Sequence, residues 1–372
     1  MPSAETVGAV AAALVAAALL SGAPARARAA DAPPLVLPPG FRADVVADGL
    51  GAPRALAVDP AGVLLVSIPS AGRVVALVRV PARGADVVTV AAGLNRPHGL
   101  AFRGGRLYVA ETGRVLRFRY DARARAARDP VTVVPNLPAG AHHWSRSITF
   151  GPDGRLYVAI GSSCDVCRES DPRRAAIVSY AADGADQRLT AVGMRNPVGL
   201  AFHPSSRVLW TTVNERDWRT GGAPPDYITA VHRGDAFGWP DCYALGMVFV
   251  PDPELPAPRP CQRLTLPTLE IPPHSAPLGL AFYTATKFPA AYRGSLFVAL
   301  HGSRPGLAPA GYKIVRVVVD GRGAPRMEDF ATGWRHGNQV WGRPADVVQG
   351  ADGSLYVSDD HGGRIVRITA VR

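Results

Sequence analysis

Histidines and arginines stand directly before several short apolar strands of this sequence. His143 precedes one such strand, the pair Arg195 and Asn196 precedes the next, and Arg343 precedes the last. A planar guanidinium matches a carboxylate in geometry and charge, so the arginines indicate an anionic ligand. A histidine among them is suited to act as the base for an alcohol or a hydrated aldehyde. The residue types therefore predict a polar site, provided that the fold brings these strands together.

The strands belong to six copies of one repeating unit. The clearest copy contains the strand 195–202, a turn, and the β-rich strand 208–212. The six copies begin near Ala52, Arg96, Trp144, Arg195, Ala276 and Arg343. Units of roughly 45–80 residues without helical periodicity between them predict an all-β, six-bladed β-propeller. The segment Phe41 to Val46 precedes the first copy, and we expect it to pair with the last blade and close the ring.

The propeller geometry predicts where the polar residues meet. In a four-stranded antiparallel blade, the residues before the innermost strand and those after the second strand emerge on one face. The polar residues at these positions are Asn95, Arg96, His143, Trp144, Arg195, Asn196, His274, Ser275 and Arg343, then Glu111, Ser162, Ser163, Asn214, Glu215, His301, Ser303, Arg304, Asp359 and Asp360. The first copy has mostly small or apolar residues at these positions. Burial of such groups costs several kcal/mol each unless they are paired or bind a ligand. The alternative is that Arg–Asp pairs merely tie the blades together.

The basic composition does not indicate nucleic-acid binding. The net charge is +11, but all 41 basic residues except Lys287 and Lys313 are arginines scattered along the chain. No run of five or more basic residues and no basic-aromatic stripe is present. We therefore expect no nucleic-acid partner.

The N-terminus resembles a secretory signal. Val7 to Leu20 is an apolar, alanine-rich run, followed by the small-residue pattern Ala27-Arg28-Ala29. Cleavage there predicts a signal peptide over 1–30 and a single catalytic propeller over 31–372, periplasmic or secreted, with no stable membrane span. Glu5, rather than a basic residue, precedes the run, so an uncleaved anchor is the alternative, although the run is short for a span.

Four cysteines fit an exported chain. An even count predicts two disulfides, with 164–167 and 242–261 as one of three pairings. A redox-active or zinc-binding Cys-x-x-Cys at Cys164 and Cys167 is the alternative, although no thioredoxin-like pattern surrounds it.

At these residues the chain resembles the soluble quinoprotein glucose/sorbosone dehydrogenases, and most closely their sorbosone-dehydrogenase-like branch. The stretches that carry the resemblance are 142–146, 161–164, 195–197, 214–217, 225–227, 238–240, 301–304 and 311–313. The resemblance implies the quinoprotein glucose dehydrogenase-like propeller, which holds pyrroloquinoline quinone (PQQ) over Ca²⁺ and oxidises an aldose or sugar aldehyde. An external electron acceptor, either the quinone pool or a soluble cytochrome, is then expected, and we expect no fused haem domain.

The resemblance also implies roles for individual residues. His143 resembles the general base that takes the sugar hydroxyl proton as hydride passes to the quinone. The cofactor-binding residues implied are Arg195, Asn196, Arg304, Lys313, Arg343 and His98. The backbone carbonyls near Asn214 and Glu215 correspond to calcium ligands, because calcium accepts carbonyl oxygens in loose geometry.

Two departures from the family pattern keep other functions open. Ser162 stands where glucose-oxidising members have an aspartate that orients the histidine, and loops that shape the sugar pocket are shorter. One alternative is a calcium-dependent lactonase-type hydrolase that uses Glu111, Asn214 and Asp359. The other is a non-catalytic binding propeller. Several arginines favour the quinone, because a lactonase needs few of them around its metal.

Overall fold

The protein is an all-β ring in a computed structural model that describes residues 35–80, 84–140, 142–217, 222–255, 261–319 and 325–371. The predicted signal peptide over 1–30 lies outside the described residues. Within these ranges the helical elements are two short 3₁₀ turns, Pro69–Ala71 and Ala290–Tyr292. No helix within them has the length and apolar composition needed to cross a bilayer.

Six sheets form the blades, each built on four antiparallel strands, and in blades 1, 2, 3 and 5 these four strands follow one another directly in the chain. From the axis outward, blade 1 contains Leu56–Val58, Leu64–Ile68, Arg73–Val78 and Asp86–Ala91, and blade 2 contains Leu100–Arg103, Arg106–Glu111, Arg114–Asp121 and Ala126–Val134. Blade 3 contains Ile148–Phe150, Leu156–Ile160, Ala176–Tyr180 and Arg188–Val192, and blade 4 contains Pro197–Phe202, Leu209–Val213, Asp226–Val231 and Leu269–Ile271. Blade 5 contains Pro277–Phe282, Leu296–Leu300, Lys313–Val318 and Arg326–Ala331. The six-bladed architecture predicted from the repeats is confirmed.

The sixth blade closes the ring with a strand from the other end of the chain. Its inner strands are Pro344–Gln349, Leu355–Asp359 and Arg364–Ala370, and its outermost strand is Phe41–Ala47. This outermost strand pairs antiparallel with Arg364–Ala370, so the predicted closure is confirmed. Main-chain hydrogen bonds between the two chain segments thus hold the first and last blades together.

Apolar clusters lie at the interfaces between neighbouring blades around the ring. Leu65 of blade 1 packs with Leu107 of blade 2, and Phe297 of blade 5 packs with Leu355 of blade 6. Because each blade buries both faces, its central strands are runs of Val, Leu, Ile and Ala rather than alternating patterns. The packed ring is the rigid support on which the strand ends present their polar side chains.

Several shorter strands lie outside the four-stranded blades. The chain between the last two strands of blade 4 contains the strand Asp235–Ala236, which pairs parallel with blade 3, and the hairpin Cys242–Leu245 and Val248–Pro251. A second hairpin contains Arg335–His336 and Gln339–Val340, and Val36 forms an isolated bridge to Thr332. Cys164 is bonded to Cys167, and Cys242 to Cys261, so the predicted pairing is confirmed.

Candidate active site

Polar groups of neighbouring blades contact one another at the strand ends around one mouth of the axial channel. The channel has a volume of about 550 Å³ and is lined by the inner strands of all six blades. Three residues that lead into inner strands, Arg96, His143 and His274, have φ of 52°, 50° and 65°. Such left-handed backbone is uncommon for these residue types and tends to cluster at functional sites. The backbone at these three strand ends is therefore a further mark of the candidate site.

The ring of His143 is held by a single residue, Ser162. Its Nδ1 lies 3.0 Å from the carbonyl oxygen of Ser162 and 2.9 Å from the Oγ of the same residue. The Ser162 hydroxyl in turn donates to the carbonyl of Cys164 over 2.8 Å. Because a carbonyl oxygen only accepts, Nδ1 carries the proton and donates to Ser162. Nε2 then has a free lone pair, which is the state that a general base requires.

The His143 imidazole is neutral as well as oriented. Burial and the neighbouring Arg195 guanidinium lower the pKa of His143 to about 3, against a smaller opposite effect of the Ser162 carbonyl. At neutral pH the base form is therefore present without prior loss of a proton.

The Ser162 hydroxyl is expected to contribute to turnover in a limited way. In Ser162→Ala the carbonyl still accepts from Nδ1, but the second acceptor is lost. A neutral hydrogen bond is worth roughly 1 kcal/mol, so we expect kcat to fall by about five-fold. Steady-state kinetics with a saturating electron acceptor measures this. An unchanged kcat would contradict an orienting role for the hydroxyl.

The side chains of His143 and Asn196 both pack closely against Gly161. A Cβ built on Gly161 would lie 2.3 Å from the Asn196 Oδ1 and 2.6 Å from the His143 Cβ. The Asn196 side chain is 9% exposed, and its amide has no recorded partner among the described residues. Glycine at this position therefore allows the base and a free amide to lie side by side.

Gly161→Ala is expected to separate these two side chains. We expect a loss of turnover of about tenfold or more, because a displacement near 1 Å at a reacting group is costly. Gly113→Ala is a matched control, since Gly113 has ordinary φ and a Cβ there would meet Ala139 at 3.5 Å. Kinetics and circular dichroism of both variants test this expectation. Equal effects of the two substitutions would contradict it.

Arg195 lies beside His143 and is almost fully buried. Its guanidinium donates to the carbonyls of Asp165 over 3.1 Å and Glu215 over 2.8 Å, and it pairs with the Asp165 carboxylate. The Asp165 side chain is 52% exposed, so the ion pair opens toward solvent on one side. Arg195 is thus a positioned cation at the edge of the mouth.

The Arg343 guanidinium has only neutral partners among the described residues. It donates to the carbonyls of Gly302 and Ser303 over 2.9 Å each and to the Tyr312 hydroxyl over 3.2 Å. Its guanidinium also lies 4.8 Å from the centre of the Tyr312 ring. A guanidinium without a counter-charge attracts an anion.

The other predicted cofactor residues have different surroundings. Arg304 is exposed and donates to Asp217 over 2.7 Å, and Asp217 also contacts the Nδ1 of His274 at 2.9 Å. Lys313 does not join the arginines, because it forms an ion pair of 2.6 Å with Asp329 of the outermost strand of its own blade.

His98 lies in the wall of the channel. It is 6% exposed, packs edge-to-face with Trp144, and its Nδ1 has no partner among the described residues. Burial and the nearby Arg54 lower the pKa of His98 to about 3. It is therefore a neutral histidine close to the arginines of the mouth.

The sequence analysis did not identify Arg54 as a site residue. Arg54 belongs to the first copy of the repeat, which has few polar residues at the predicted site positions. Arg54 forms an ion pair with Asp360, and the other oxygen of Asp360 contacts the Nε2 of His301 at 2.9 Å. This network spans blades 5, 6 and 1 and completes the ring of charges. The copy does carry a signal, because Arg54 follows Pro53 as His98 follows Pro97 in the second copy.

The backbone carbonyls that were predicted to bind calcium lie beside the Arg195 guanidinium. The Asn214 and Glu215 carbonyls both accept from Arg195, and the Asn214 amide donates to Pro277 over 2.6 Å. The Glu215 carboxyl is buried, which raises its pKa to about 8, so it is neutral at pH 7. Two carbonyls beside a guanidinium are a weak calcium site, which becomes favourable only when an anionic ligand joins them.

Both carboxylates required by the lactonase alternative already accept backbone hydrogen bonds. Glu111 accepts from the backbone N–H of Asn95 over 2.7 Å, and Asp359 accepts from that of Arg343 over 2.8 Å. Among the described residues, the one group of three His, Cys, Asp or Glu side chains that could share a metal contains both disulfide-bonded residues Cys164 and Cys167, with Glu169. A carboxylate metal cage at the axis is therefore absent from the described part of the chain.

Fold and mouth together define a six-bladed β-propeller with a polar site at one end of its axis. The chain belongs to the TrAA12-like family, whose model matches residues 35–371.

Comparison with known proteins agrees with this assignment. A pyrroloquinoline quinone-dependent pyranose dehydrogenase from Coprinopsis cinerea is 28% identical over 406 residues, which cover 88% of this chain and 53% of that enzyme. The chain thus spans about half the length of that relative.

Solved structures show the same fold. The holo PQQ domain of pyranose dehydrogenase from Coprinopsis cinerea matches with a TM-score of 0.75 and 23% identity, covering 91% of this chain and 97% of that one. A calcium structure of a Trichoderma reesei family AA12 enzyme matches with a TM-score of 0.76 and 23% identity, covering 91% and 98%.

Proposed function

We propose that this protein is a PQQ-dependent oxidoreductase that oxidises an aldose or a sugar aldehyde, with His143 as the general base. The observation that carries the proposal is the neutral His143, whose Nε2 is free, beside the buried Arg195 guanidinium. The Coprinopsis relative supports the cofactor and the class of substrate.

The residues of the mouth fit a tricarboxylated quinone. The Arg343 guanidinium has no acidic partner among the described residues, and the buried Arg195 pairs with Asp165, whose side chain is 52% exposed. The Asn196 amide offers both a donor and an acceptor to a quinone oxygen. Arg195, Asn196 and Arg343 would hold the cofactor, whereas Lys313 would have to leave Asp329 to take part.

The chain's own residues then carry the proton chemistry. Bound PQQ supplies the acceptor for the hydride that leaves the sugar carbon. The Nε2 of His143 receives the hydroxyl proton of the sugar, and Ser162 stabilises the resulting imidazolium by accepting from Nδ1. The arginines keep the mouth positive, which favours an anionic cofactor.

Calcium is proposed to bind with the quinone rather than before it. The carbonyls of Asn214 and Glu215 would supply two of the six to eight oxygen ligands that calcium takes. The Arg195 guanidinium, which both carbonyls now accept from, would turn toward the anionic cofactor. Once bound, the ion would act as a Lewis acid.

Substrate, acceptor and location are finer parts of the proposal. Sorbosone-like aldehydes and glucose-like aldoses are both candidate substrates, because the chain resembles the glucose/sorbosone dehydrogenases. We propose an external acceptor, either the quinone pool or a soluble cytochrome. The two disulfides suit an oxidising compartment, so we propose a periplasmic or secreted protein.

A reconstitution experiment tests this function. Protein purified without quinone is mixed with PQQ and calcium, and dye reduction is measured with a panel of aldoses and osones. We expect activity with at least one sugar that depends on added PQQ. Lactone hydrolysis without quinone would favour the lactonase alternative, and neither activity would favour a binding propeller.

A further inference from the structure

A short disulfide-closed loop in blade 3 contacts both the proposed base and the proposed cofactor arginine. The loop 162–167 follows the second strand of the blade, Leu156–Ile160, and Cys164 is bonded to Cys167 within it. Both sulfurs belong to partly buried residues at the mouth.

The first contact of the loop orients the base. Ser162 accepts from the Nδ1 of His143 through its carbonyl and its hydroxyl. The hydroxyl hydrogen is directed away from the histidine, because it is donated to the carbonyl of Cys164 over 2.8 Å. The acceptor geometry at His143 thus depends on where Cys164 lies.

The second contact of the loop holds the arginine. Asp165 lies between the two cysteines, and its carbonyl accepts from the Nε of Arg195 over 3.1 Å. Its carboxylate pairs with the Nη2 of the same guanidinium. Because the planar guanidinium of Arg195 is held at two of its nitrogens, both its position and its orientation are fixed.

The loop is anchored again on its far side. The Glu169 carboxylate accepts from the backbone N–H of Ser163 over 2.5 Å and from the Ser163 hydroxyl over 2.7 Å. With the disulfide in place, the chain from Ser162 to Glu169 has few alternative conformations.

We propose that the Cys164–Cys167 disulfide is a positioning element that sets the His143 tautomer and the Arg195 orientation together. The expected effect of the disulfide on activity rests on the proposed function. Its expected effect on the His143 tautomer does not, because that tautomer is a property of the free protein. The crosslink removes loop conformations in which Ser162 and Asp165 face elsewhere. Such supporting contacts are what keep a reacting group within the narrow limits that catalysis needs.

The test compares the two disulfides of the same chain. The double variant Cys164→Ser/Cys167→Ser removes the loop crosslink, and Cys242→Ser/Cys261→Ser is the matched control. The control bridge spans 19 residues against 3, so its loss is expected to lower the melting temperature more. The readouts are selective ¹⁵N-histidine NMR of the free protein, with His143→Ala for assignment, then PQQ affinity, kcat and KM.

The expected results separate positioning from stability. In the 164/167 variant, the His143 signals change from a single Nδ1–H tautomer to a mixture, kcat falls by about tenfold or more, and PQQ affinity falls several-fold. The 242/261 variant keeps the tautomer and kcat despite its larger loss of stability.

Either of two results would overturn the proposal. One is an unchanged His143 tautomer in the 164/167 variant, and the other is the same change of tautomer in both variants. If the wild type binds no quinone but the tautomer still depends on the 164/167 bridge, the proposed function fails and the positioning role stands.

Discussion

His143→Ala is expected to reduce turnover by about 100-fold or more while PQQ affinity changes by no more than about twofold. In the proposed mechanism the imidazole accepts the sugar proton through its Nε2. The loss should therefore appear in kcat rather than in binding. Reconstituted enzyme, assayed at saturating PQQ and sugar, gives the measurement.

The neighbouring histidine provides the matched control. His142 is exposed, and its recorded contacts are its own N–H to the Ser163 carbonyl and a ring contact with His143. We expect His142→Ala to retain most of the turnover. Comparable losses in the two variants, or none in His143→Ala, would remove His143 from the proposed role.

The protonation state of His143 gives an independent check. Because its pKa is lowered to about 3, the ¹⁵N shifts of its ring in the free protein should stay constant between pH 8 and pH 5. An unperturbed histidine would titrate within that range, near 6.5. A midpoint above pH 5.5 in the free protein would contradict the neutral base described above.

Arg195→Ala is expected to weaken PQQ binding by about 30-fold or more. Truncation of a buried, hydrogen-bonded charge that meets an opposite charge costs roughly 2 kcal/mol or more, which corresponds to that change in Kd. Turnover at saturating quinone should fall much less. Fluorescence or calorimetric titration of the quinone-free variant measures the affinity, and circular dichroism checks the fold.

Two further substitutions sharpen this expectation. Arg304→Ala should change PQQ affinity only a few-fold, because the Arg304 side chain is 65% exposed and its ion pair is screened by water. Arg195→Lys should not restore affinity, since a lysine cannot reproduce a guanidinium held at two nitrogens. An equal effect of the 195 and 304 truncations would show that only net charge matters.

The architecture could be predicted because its pattern is repeated in the sequence. Six copies of one apolar strand-turn-strand unit leave few arrangements, and the unpaired segment before the first copy suits the edge of the last blade. The ring also specifies which strand ends share a face, which is the basis for the prediction that His143, Arg195 and Arg343 lie around one mouth.

Pairing between individual side chains could not be predicted in the same way. The partner of His143 is largely a backbone carbonyl, that of Ser162, and carbonyl directions depend on local dihedral angles that residue types do not encode. Lys313 pairs with Asp329, because Asp329 lies opposite Val315, two residues along the same face of the strand. That contact requires the register of the sheet, which the repeat pattern leaves open.

The role of Arg54 could not be predicted from the sequence for a different reason. Its copy looked plain because the other polar positions of that unit are occupied by small or apolar residues. Its role in the ring depends on Asp360 and His301, which lie more than 240 residues away in the chain. Such a network is visible only after the ring has closed.

The most direct test of the account is a titration of the quinone-free protein with PQQ in the presence of calcium, followed by addition of sugar in the absence of an electron acceptor. We expect saturation at one quinone per chain and then a change in the absorbance of the bound quinone to that of its reduced form. Failure to bind PQQ would contradict the account, and so would a bound quinone that no aldose or osone reduces.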